Sequence, residues 1–344
     1  MQLMALDKDF VQIGFLSTYF DLMWDRKYYE TGKFLVQILA RDYNPDMVYI
    51  YSKDRPETGI IECVSYSDDG SLLTLSGHFA EKILDDKIVY PEFNKTDNIS
   101  NLCRDIVNTY KEDIHNLVLG EYVDEGEQIS TQITGDCLDK AIYSMLKTEE
   151  KSYRMRYAYE EDKLYFDIWK GKDRTQTQSD NNFITFSRGF KNLVNVSSKD
   201  DNSNYKNYFV IGGTGEDKER IYIELDLSND QYKKKKYIDA KNMKFNSKKQ
   251  SKDEYLESLR QKGREKASDY VDIHNVEFDV VESGFRYMSD YDLGDKCDVV
   301  IEDIRKSYEA RIIEVCEVFK HNKHTITLTF GDKIPTKYER ARVR

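Results

Sequence analysis

The stretch from residue 292 to residue 331 reads DLGDKCDVVI EDIRKSYEAR IIEVCEVFKH NKHTITLTFG. It contains three runs rich in β-branched and aromatic residues, at 292–301, 310–315 and 324–331. In the last run Ile326, Leu328 and Phe330 alternate with threonines, so that one face is apolar, as in a half-buried strand. The polar turn at 321–324 is short enough to close an antiparallel hairpin with the preceding run. We therefore predict an antiparallel meander here.

A similar order of segments near the N-terminus indicates an internal duplication of this meander. The first segment, 32–39, begins with Gly. The second, 59–64, contains Ile-Ile-Glu, and the third, 71–77, ends in Gly. This copy needs an insertion relative to the other, for which 44–56 is the natural place. Aligning the terminal glycines Gly77 and Gly331, however, inverts the side-chain faces of the two last strands. The alternative is that two meanders of similar length merely look alike.

Composition favours a β-rich protein of several domains. At 344 residues the chain is long enough for two or more domains. Its 26 Tyr and 16 Phe, against 4 Pro, favour β-structure over disorder. We therefore expect a β-rich α+β, multi-domain fold. The formal net charge of −11 argues against a surface that grips nucleic acid through many phosphate contacts.

The cysteines and the N-terminus bear on the compartment. Five cysteines with no Cys-x-x-Cys spacing argue against a disulfide or zinc framework; they are Cys63, Cys103, Cys137, Cys297 and Cys316. Residues 1–20 have neither the basic region nor the continuous apolar core of a signal peptide. No apolar run is long enough to span a bilayer. We expect a protein that is made and folded in a cytoplasm.

Three segments change to the period of an amphipathic helix. The first has Asp97 or Ser100 as its cap, and its apolar stripe continues until Gly120 ends it. A second, short helix carries inward-facing apolar residues at 138–146. A third helix covers about 251–270. We expect the first two to be packing helices without chemistry, and the third to be weakened by Gly263.

The strongest hairpin signal in the sequence lies at 153–169. Tyr153, Met155 and Tyr157 share one face, a polar turn reverses the chain, and a second alternating strand follows. The charge-rich segment 230–252 is expected to be loosely structured. Further strands are expected at 182–187, 193–197, 208–211, 221–227 and 276–287.

Several short patterns invite a chemical interpretation, but each has a simpler one that we favour. Gly212–Gly215 follows a strand as a phosphate-binding loop would, yet no Gly-Lys-Ser/Thr follows, which favours a turn or bulge. His321 and His324 lack a third ligand for a metal site. The basic run Lys233–Lys236 either contacts phosphate or is a solvated loop. Trp24 is expected to be a core residue and not a ligand-stacking one. No nucleophile motif is present, and we expect no catalytic residue, metal or cofactor.

Short motifs along most of the chain resemble, in their order, the tail-hub family of siphophages. The motifs are Trp24, Tyr29 and Gly32, then 135–146 leading into 153–157, then 171–175, Phe186-Ser187, Asn192 and Leu293-Gly294-Asp295. That family is similar to the baseplate hubs of contractile phages and to the N-terminal part of tail-associated lysins. The resemblance covers residues 10–333. The structural positions that it implies are Trp24, Tyr29, Gly32, Asp173, Arg174, Asn192, Gly294, Asp295 and Gly331.

The resemblance implies two tube-type antiparallel β-barrel domains with smaller inserted α/β domains. The implied divisions are a first barrel at 1–95 completed by strands in 182–228, a helical and hairpin domain at 96–181, a charged loop and helix at 229–275, and a second barrel at 276–344 with strands recruited from 205–228. It also implies a homotrimer that caps the sixfold tail tube, adapts sixfold to threefold symmetry, gives phage DNA a conduit and docks a fibre or spike. Its other implied partners in the virion tail tip are a distal tail or tail-tube protein and a tape-measure protein.

Two other functions are compatible with parts of the sequence. The aromatic hairpin at 153–169 suits an adhesin-like module that stacks on host glycans. A cell-wall hydrolase is the third possibility, as in the lysin-bearing relatives. Only residues 332–344 follow Gly331, which leaves no room for a peptidase or glycosidase domain there. We therefore expect a structural protein.

Overall fold

The computed structural model describes residues 1–16, 18–67, 71–112, 114, 116–321 and 323–331. These residues form mostly antiparallel β-sheet, as expected, with three α-helices. The strands are β1 Leu3–Leu6, β2 Gln12–Leu16, β3 Asp21–Lys27, β4 Lys33–Leu39, β5 Tyr49–Tyr51, β6 Thr58–Ile60, β7 Cys63–Ser67, β8 Leu72–His78, β9 Phe93–Asn98, β10 Leu117–Leu119, β11 Gln128–Ile133, β12 Ser152–Ala158, β13 Lys163–Trp169, β14 Thr185–Ser187, β15 Leu193–Asp201, β16 Tyr208–Gly212, β17 Tyr222–Asp226, β18 Lys235–Asp239, β19 Ile273–Val280, β20 Lys296–Ile301, β21 Lys306–Lys320 and β22 Lys323–Phe330. The helices are α1 Ile99–Tyr110, α2 Leu138–Lys147 and α3 Lys252–Ala267.

One large sheet unites the two ends of the chain. Its strand order is β15-β19-β22-β21-β3-β4-β8-β7, with β20 pairing with β21 and β14 pairing with β20. The N-terminal and C-terminal meanders meet where β3 pairs with β21, and Trp24 stands opposite Glu317 there. In the described part of the chain this sheet does not close, and β7 and β15 lie at its two edges.

Four smaller sheets surround the large one. Near the N-terminus, β2-β1-β5-β6 form a four-stranded sheet, and β9 pairs with β11. The predicted hairpin is confirmed, since β12 and β13 pair with Tyr153 opposite Ile168, and β10 joins β13 in parallel. The last sheet has the order β17-β16-β18, with β18 parallel to β16. The predicted strands at 182–187, 193–197, 208–211, 221–227 and 276–287 are present with shifted ends.

The C-terminal hairpin is as predicted. Strands β21 and β22 pair, with Phe319 opposite His324, and Asn322 in the turn lies outside the described residues, as do residues 332–344. Ile326, Leu328 and Phe330 are buried. The alternating pattern therefore predicted both the strand and its buried face.

The predicted strand-by-strand correspondence between the two meanders is wrong. In the C-terminal meander the second strand, β21, lies between β20 and β22, whereas in the N-terminal one the last strand, β8, lies between β4 and β7. The run 59–64 is not one strand, because it ends β6 in one sheet and begins β7 in another. The chain changes sheets beside Gly77, where a Cβ would collide with the carbonyl oxygen of Ile60. The glycine permits this close crossing.

The first helix differs from its prediction at both ends. Asn98, and neither Asp97 nor Ser100, caps α1, because its Oδ1 accepts a hydrogen bond from the Asn101 backbone N–H at 2.9 Å. The helix ends at Tyr110, ten residues before Gly120. Residues 117–119 instead form β10 against β13, so their apolar side chains are buried by pairing with a strand.

The second and third helices are confirmed, and the segment before the third is more ordered than predicted. Residues 230–252 contain β18, which the sequence reading missed because its charged residues hide the alternation. Ser251 caps α3 in a capping box with Glu254. Gly263 lies inside α3 because a Cβ there would approach Ile211 Cδ1 to 2.9 Å, so the glycine allows the helix to lie close to the sheet.

The apolar side chains form four clusters. One joins α1 and α2 to the β12–β13 hairpin, one fills the C-terminal meander, one fills the N-terminal meander, and one lies between α3 and the β16–β18 sheet. Among the described residues, no helix has the length and apolar character needed to cross a bilayer.

Candidate functional site

A buried arginine joins the two ends of the chain at what we call the central junction, formed by Arg26, Glu57, Tyr287 and Asp292. Arg26 is 1% exposed, and its Nε donates a hydrogen bond to Glu57 Oε1 at 2.6 Å. Its Nη1 donates to Tyr287 Oη at 2.6 Å and to Asp292 Oδ1 at 2.7 Å. Burial by itself would lower the pKa of Arg26. The interactions with Glu57, Tyr287 and Asp292 have the larger combined effect, so the pKa is raised. The guanidinium is therefore a fixed internal connection.

Trp24 lies beside Arg26 and is a core residue, as predicted. The two residues are two positions apart on β3, so they share a face of the sheet. The Trp24 ring is fully buried, with its centroid 4.7 Å from that of Phe79 and 6.0 Å from that of Phe34. Its Nε1 donates to Glu57 Oε2 at 3.4 Å. Glu57 thus receives hydrogen bonds from two neighbouring side chains of one strand.

Gly294 fits against the aromatic residues next to the junction. Its φ is +85°, and a Cβ would collide with the Tyr28 ring and approach Trp169 to 2.9 Å. Tyr28 and Trp169 are perpendicular, with centroids 4.9 Å apart, and Tyr29 packs edge-on against Tyr28 at 4.7 Å. The Tyr28 hydroxyl donates to the Glu150 carbonyl at 2.9 Å and accepts from Gly171 N–H at 3.2 Å. Only a glycine leaves room for this arrangement.

Asp295 ties two loops together. Its Oδ1 accepts from Lys172 N–H at 2.7 Å, and its Oδ2 accepts from Arg174 Nε at 2.6 Å. Arg174 N–H in turn donates to the Lys296 carbonyl at 2.7 Å. Asp173 closes a local turn, since its Oδ1 accepts from the N–H and the hydroxyl of Thr175. Asp295, Arg174 and Asp173 therefore hold the loop around 171–175 against the start of β20.

The remaining positions implied by the resemblance are Asn192, Gly32 and Gly331. Asn192 closes the turn after β14, where Oδ1 accepts from Ser187 N–H at 2.9 Å and Nδ2 donates to the Thr185 carbonyl at 2.8 Å. A Cβ on Gly32 would approach the Phe79 ring to 2.7 Å. Gly331 has a φ of +87°, and a Cβ there would collide with the backbone carbonyl of His274. The structure thus brings together Trp24, Tyr29, Gly32, Gly294, Asp295, Arg174 and Asp173 in one region and leaves Asn192 and Gly331 outside it.

Sequence reasoning missed the residues that connect most of this region. Arg26, Glu57 and Tyr287 carried no motif, although Arg26 occupies an inward-facing position of an alternating strand. A charged residue at an apolar position of such a pattern was the available signal.

The other candidate patterns have structural roles. Gly213 N–H and the Ile221 carbonyl pair at 2.8 Å, so Gly212–Gly215 begins the turn between β16 and β17, as the simpler interpretation predicted. His324 Nε2 lies 3.0 Å from Glu317 Oε2, and its ring stacks on Phe319. Within the described ranges, no group of three His, Cys, Asp or Glu side chains is placed to hold a metal.

The basic run Lys233–Lys236 is partly the solvated loop that we predicted: Lys233 and Lys234 precede β18, and Lys233 and Lys235 are exposed. Lys235 and Lys236 belong to β18, and the Lys233 and Lys235 ammonium groups lie 4.7 and 4.9 Å from the centre of the Tyr208 ring. Lys233 also pairs with Asp226 at 2.7 Å. Part of this positive charge is therefore balanced within the protein.

The aromatic hairpin predicted as a glycan-stacking surface is turned inward. Tyr153 and Tyr157 are 2% and 3% exposed, within the cluster that joins α1, α2 and the hairpin. The Trp169 ring packs against Tyr28, and the Arg154 guanidinium lies 5.7 Å from its centre. A sugar ring has no access to the buried face of the hairpin, so Tyr153 and Tyr157 cannot stack on a glycan.

Comparison with known proteins gives one family and several similar folds. The family model described as Siphovirus ReqiPepy6 Gp37-like protein matches residues 2–332. No curated protein matches the sequence.

Three solved structures are similar over almost their whole length. The tail protein from Neisseria meningitidis MC58 has 11% identity and a TM-score of 0.61, with 96% of each chain covered. The 43 kDa tail protein of prophage MuSo2 from Shewanella oneidensis has 11% identity and a TM-score of 0.60, covering 96% of this chain and 98% of that one. Prophage tail protein gp18 from Listeria monocytogenes EGD-e has 12% identity and a TM-score of 0.57, covering 100% of this chain and 99% of that one. At these identities the similarity is one of fold.

Proposed function

The chain belongs to the Siphovirus ReqiPepy6 Gp37-like protein family, and on that premise we propose that it is the structural hub at the tip of a phage tail. The family match over residues 2–332 carries the proposal, because it places nearly the whole chain within a siphovirus protein family. The similar folds of three tail proteins, two of them from prophages, support it.

In this proposal three copies form a ring that caps the sixfold tail tube. Each chain supplies two tube-type units, so a trimer presents six and adapts sixfold to threefold symmetry. The N-terminal and C-terminal meanders, joined at β3 and β21, are the candidates for these units, within the domain limits 1–95 and 276–344. Strands β7 and β15 lie at sheet edges, where neighbouring copies could complete barrels by strand pairing.

The ring would give phage DNA a conduit and the rest of the tail a platform. A distal tail or tail-tube protein and a tape-measure protein would contact it on the tube side, and a fibre or spike on the other side. The net charge of −11 suits a lumen that repels and does not hold the passing duplex. A lumen found to be basic in the assembled ring would contradict this part of the proposal.

The proposed role needs no catalysis. Arg26 and Asp295, two of the charged side chains with several internal hydrogen bonds, hold parts of the protein's own chain together. We expect a zymogram on host peptidoglycan to show no clearing, and clearing would favour the hydrolase alternative.

The first experiment is light scattering of the purified chain. A species near three times the 40.6 kDa protomer is expected, and microscopy should then show a threefold ring. Since tail proteins can need a neighbour to assemble, the same measurement is repeated with the tail-tube protein of the same phage. A monomer in both, with no complex, would overturn the hub assignment.

A further inference from the structure

The segment 231–252 differs in charge from the rest of this acidic chain. It contains nine lysines and one acidic residue, Asp239, so its formal charge is +8, and the remainder of the chain carries −19 to give the total of −11. Asp239 is itself paired with the Arg220 guanidinium. A local excess of positive charge attracts anionic partners even when the protein as a whole is acidic.

Most of these lysines are not neutralised within the protein. Lys233 pairs with Asp226 at 2.7 Å, and Lys249 pairs with Glu92 at 3.4 Å. In the described part of the chain the other seven ammonium groups form no ion pair with a carboxylate; they are Lys234, Lys235, Lys236, Lys241, Lys244, Lys248 and Lys252. Lys235 and the last four of these are exposed. Their charge is therefore available to another molecule.

The lysines follow one another along an unpaired sheet edge and the loop after it, which together we call the lysine strip, residues 233–252. Strand β18 is the edge strand of the β17-β16-β18 sheet, and the loop that follows it reaches the cap of α3 at Ser251. Lysines on β18 by themselves would keep another strand from pairing with this edge. Protection of the edge does not account for the exposed lysines at 241–252, which lie beyond the strand.

The chemistry of the lysine strip favours a partner recognised by its charge density. All nine cations are lysines, which contact phosphates as point charges and lack the planar fork with which arginine reads base edges. Lys233 and Lys235 lie against the Tyr208 ring, which is only 6% exposed, so this ring is not free to stack on a base. Duplex DNA carries one negative charge per about 1.7 Å of its axis, which makes it a partner of the required kind.

We propose that the lysine strip binds the phosphate backbone of duplex DNA without regard to sequence. Its five exposed lysines without an ion pair allow up to about five phosphate contacts. The contact does not rest on the proposed ring, because one chain carries the whole strip. The charge of −19 on the rest of the chain still suits a lumen that repels the duplex.

Fluorescence anisotropy of a labelled duplex, titrated with the purified chain at several salt concentrations, tests the proposal. We expect a Kd of about 10⁻⁴ to 10⁻⁶ M near physiological salt. The logarithm of the binding constant should fall with the logarithm of the salt concentration, with a slope of about −4.5 for five phosphate contacts. The absence of binding, or binding that does not depend on salt, would overturn the proposal. Either result leaves the hub assignment to be decided by light scattering.

The variant Lys235→Gln/Lys241→Gln/Lys248→Gln removes three of the exposed lysines. Because each phosphate contact contributes about −0.9 to the slope, we expect a slope near −1.8 and a Kd raised more than about tenfold. Unchanged binding by this variant would contradict the proposal.

The matched control is Lys8→Gln/Lys53→Gln/Lys163→Gln, which removes the same charge from exposed lysines outside the strip. Its Kd and its salt slope should equal those of the unmodified chain. Equal losses in the two variants would mean that binding follows the net charge and not the strip, and would overturn the proposal.

Two competitors test the identity of the partner. Single-stranded DNA and poly-L-glutamate, each at the same concentration of charge, should displace the duplex less well than unlabelled duplex does. Better displacement by the single strand would mean that exposed rings such as Tyr232 and Tyr237 stack on bases. Better displacement by poly-L-glutamate would mean that the strip takes an acidic polypeptide. Either result would overturn the assignment to duplex DNA.

Discussion

Gly294 shows how a single residue is constrained by both its backbone and its neighbours. Its φ of +85° is one that residues with a side chain adopt at a cost, and the Tyr28 ring occupies the place of a Cβ. We expect Gly294→Ala to lower the free energy of unfolding by more than about 2 kcal/mol in urea denaturation.

Gly135→Ala is the matched control for this prediction. Gly135 also has a positive φ, +81°, but no atom lies within 4 Å of the position of its Cβ. Its substitution should cost only the backbone strain, about 1 kcal/mol. Equal losses at the two positions would mean that the contact with Tyr28 is unimportant.

Arg26 tests how much the central junction contributes to stability. Arg26→Met would leave Glu57 and Asp292 without their cation, and breaking a buried pair typically costs about 3–5 kcal/mol. Arg188→Met removes an exposed pair with Asp303 and should change stability by less than about 1 kcal/mol. The denaturant midpoints of the two variants are compared. Similar midpoints would show that the central junction contributes little to stability.

Asp25 should make stability depend on pH. Burial, reinforced by the nearby Glu314 carboxylate, raises the pKa of Asp25 above its usual 3.8. Because the folded state then holds a proton that the unfolded state releases, the contribution of Asp25 to stability is fully present below about pH 4 and declines as the pH rises toward neutrality. The slope from one such proton is at most about 1.4 kcal/mol per pH unit.

Asp25→Asn should remove this part of the decline when unfolding is measured from pH 4 to pH 8. Asp226→Asn is a contrasting control, because hydrogen bonds from Lys233 and Ser228 lower the pKa of Asp226 to about 2. That substitution should lower stability by a constant amount above about pH 4 and so leave the slope between pH 4 and pH 8 unchanged. An unchanged slope in Asp25→Asn would show that Asp25 is ionised in the folded protein.

At the scale of the element, the pairing of β3 with β21 holds the large sheet together. Strand β3 is flanked by β4 and β21, whereas β7 and β15 each pair on one side only within the described residues. Strands with paired neighbours on both sides open only with larger parts of the structure. Hydrogen exchange of the purified chain should therefore be slowest in β3 and β21 and faster in β7 and β15. Rapid exchange in β3 would mean that the two meanders separate easily.

At the scale of the whole molecule, the edge strand β7 is a candidate contact between copies. All five of its residues are exposed, including Val64 and Tyr66. If the ring closes through this edge, a Val64→Lys/Tyr66→Lys double variant should lose the trimer while the protomer stays folded, because lysines at a sheet edge block strand addition. Light scattering and circular dichroism measure the two properties.

The control for the edge variant is Tyr232→Lys, which changes the most exposed aromatic side chain in the described part of the chain, 85% exposed. It lies before β18, outside the large sheet, and should leave assembly unchanged. If Tyr232→Lys dissolved the trimer and the β7 variant did not, the contact between copies would lie at the β16–β18 sheet.

The sequence by itself determined the elements whose causes are local. The alternation at 324–331 and in the 153–169 hairpin predicted strands with their buried faces, and the 138–146 stripe predicted α2, because side chains two to four residues apart decide these patterns. The resemblance to tail-hub proteins likewise depended only on the order of short motifs, and the family match agrees with it.

The tertiary structure alone decided what joins these elements. Nothing within a few residues of Trp24 indicates that β3 pairs with β21, that the chain changes sheets beside Gly77, or that 117–119 leave the helix to pair with β13. The same holds for Arg26, whose partners Glu57 and Asp292 come from distant parts of the chain. Local propensity differs little between such alternatives, so burial and hydrogen bonding across the whole chain decide among them.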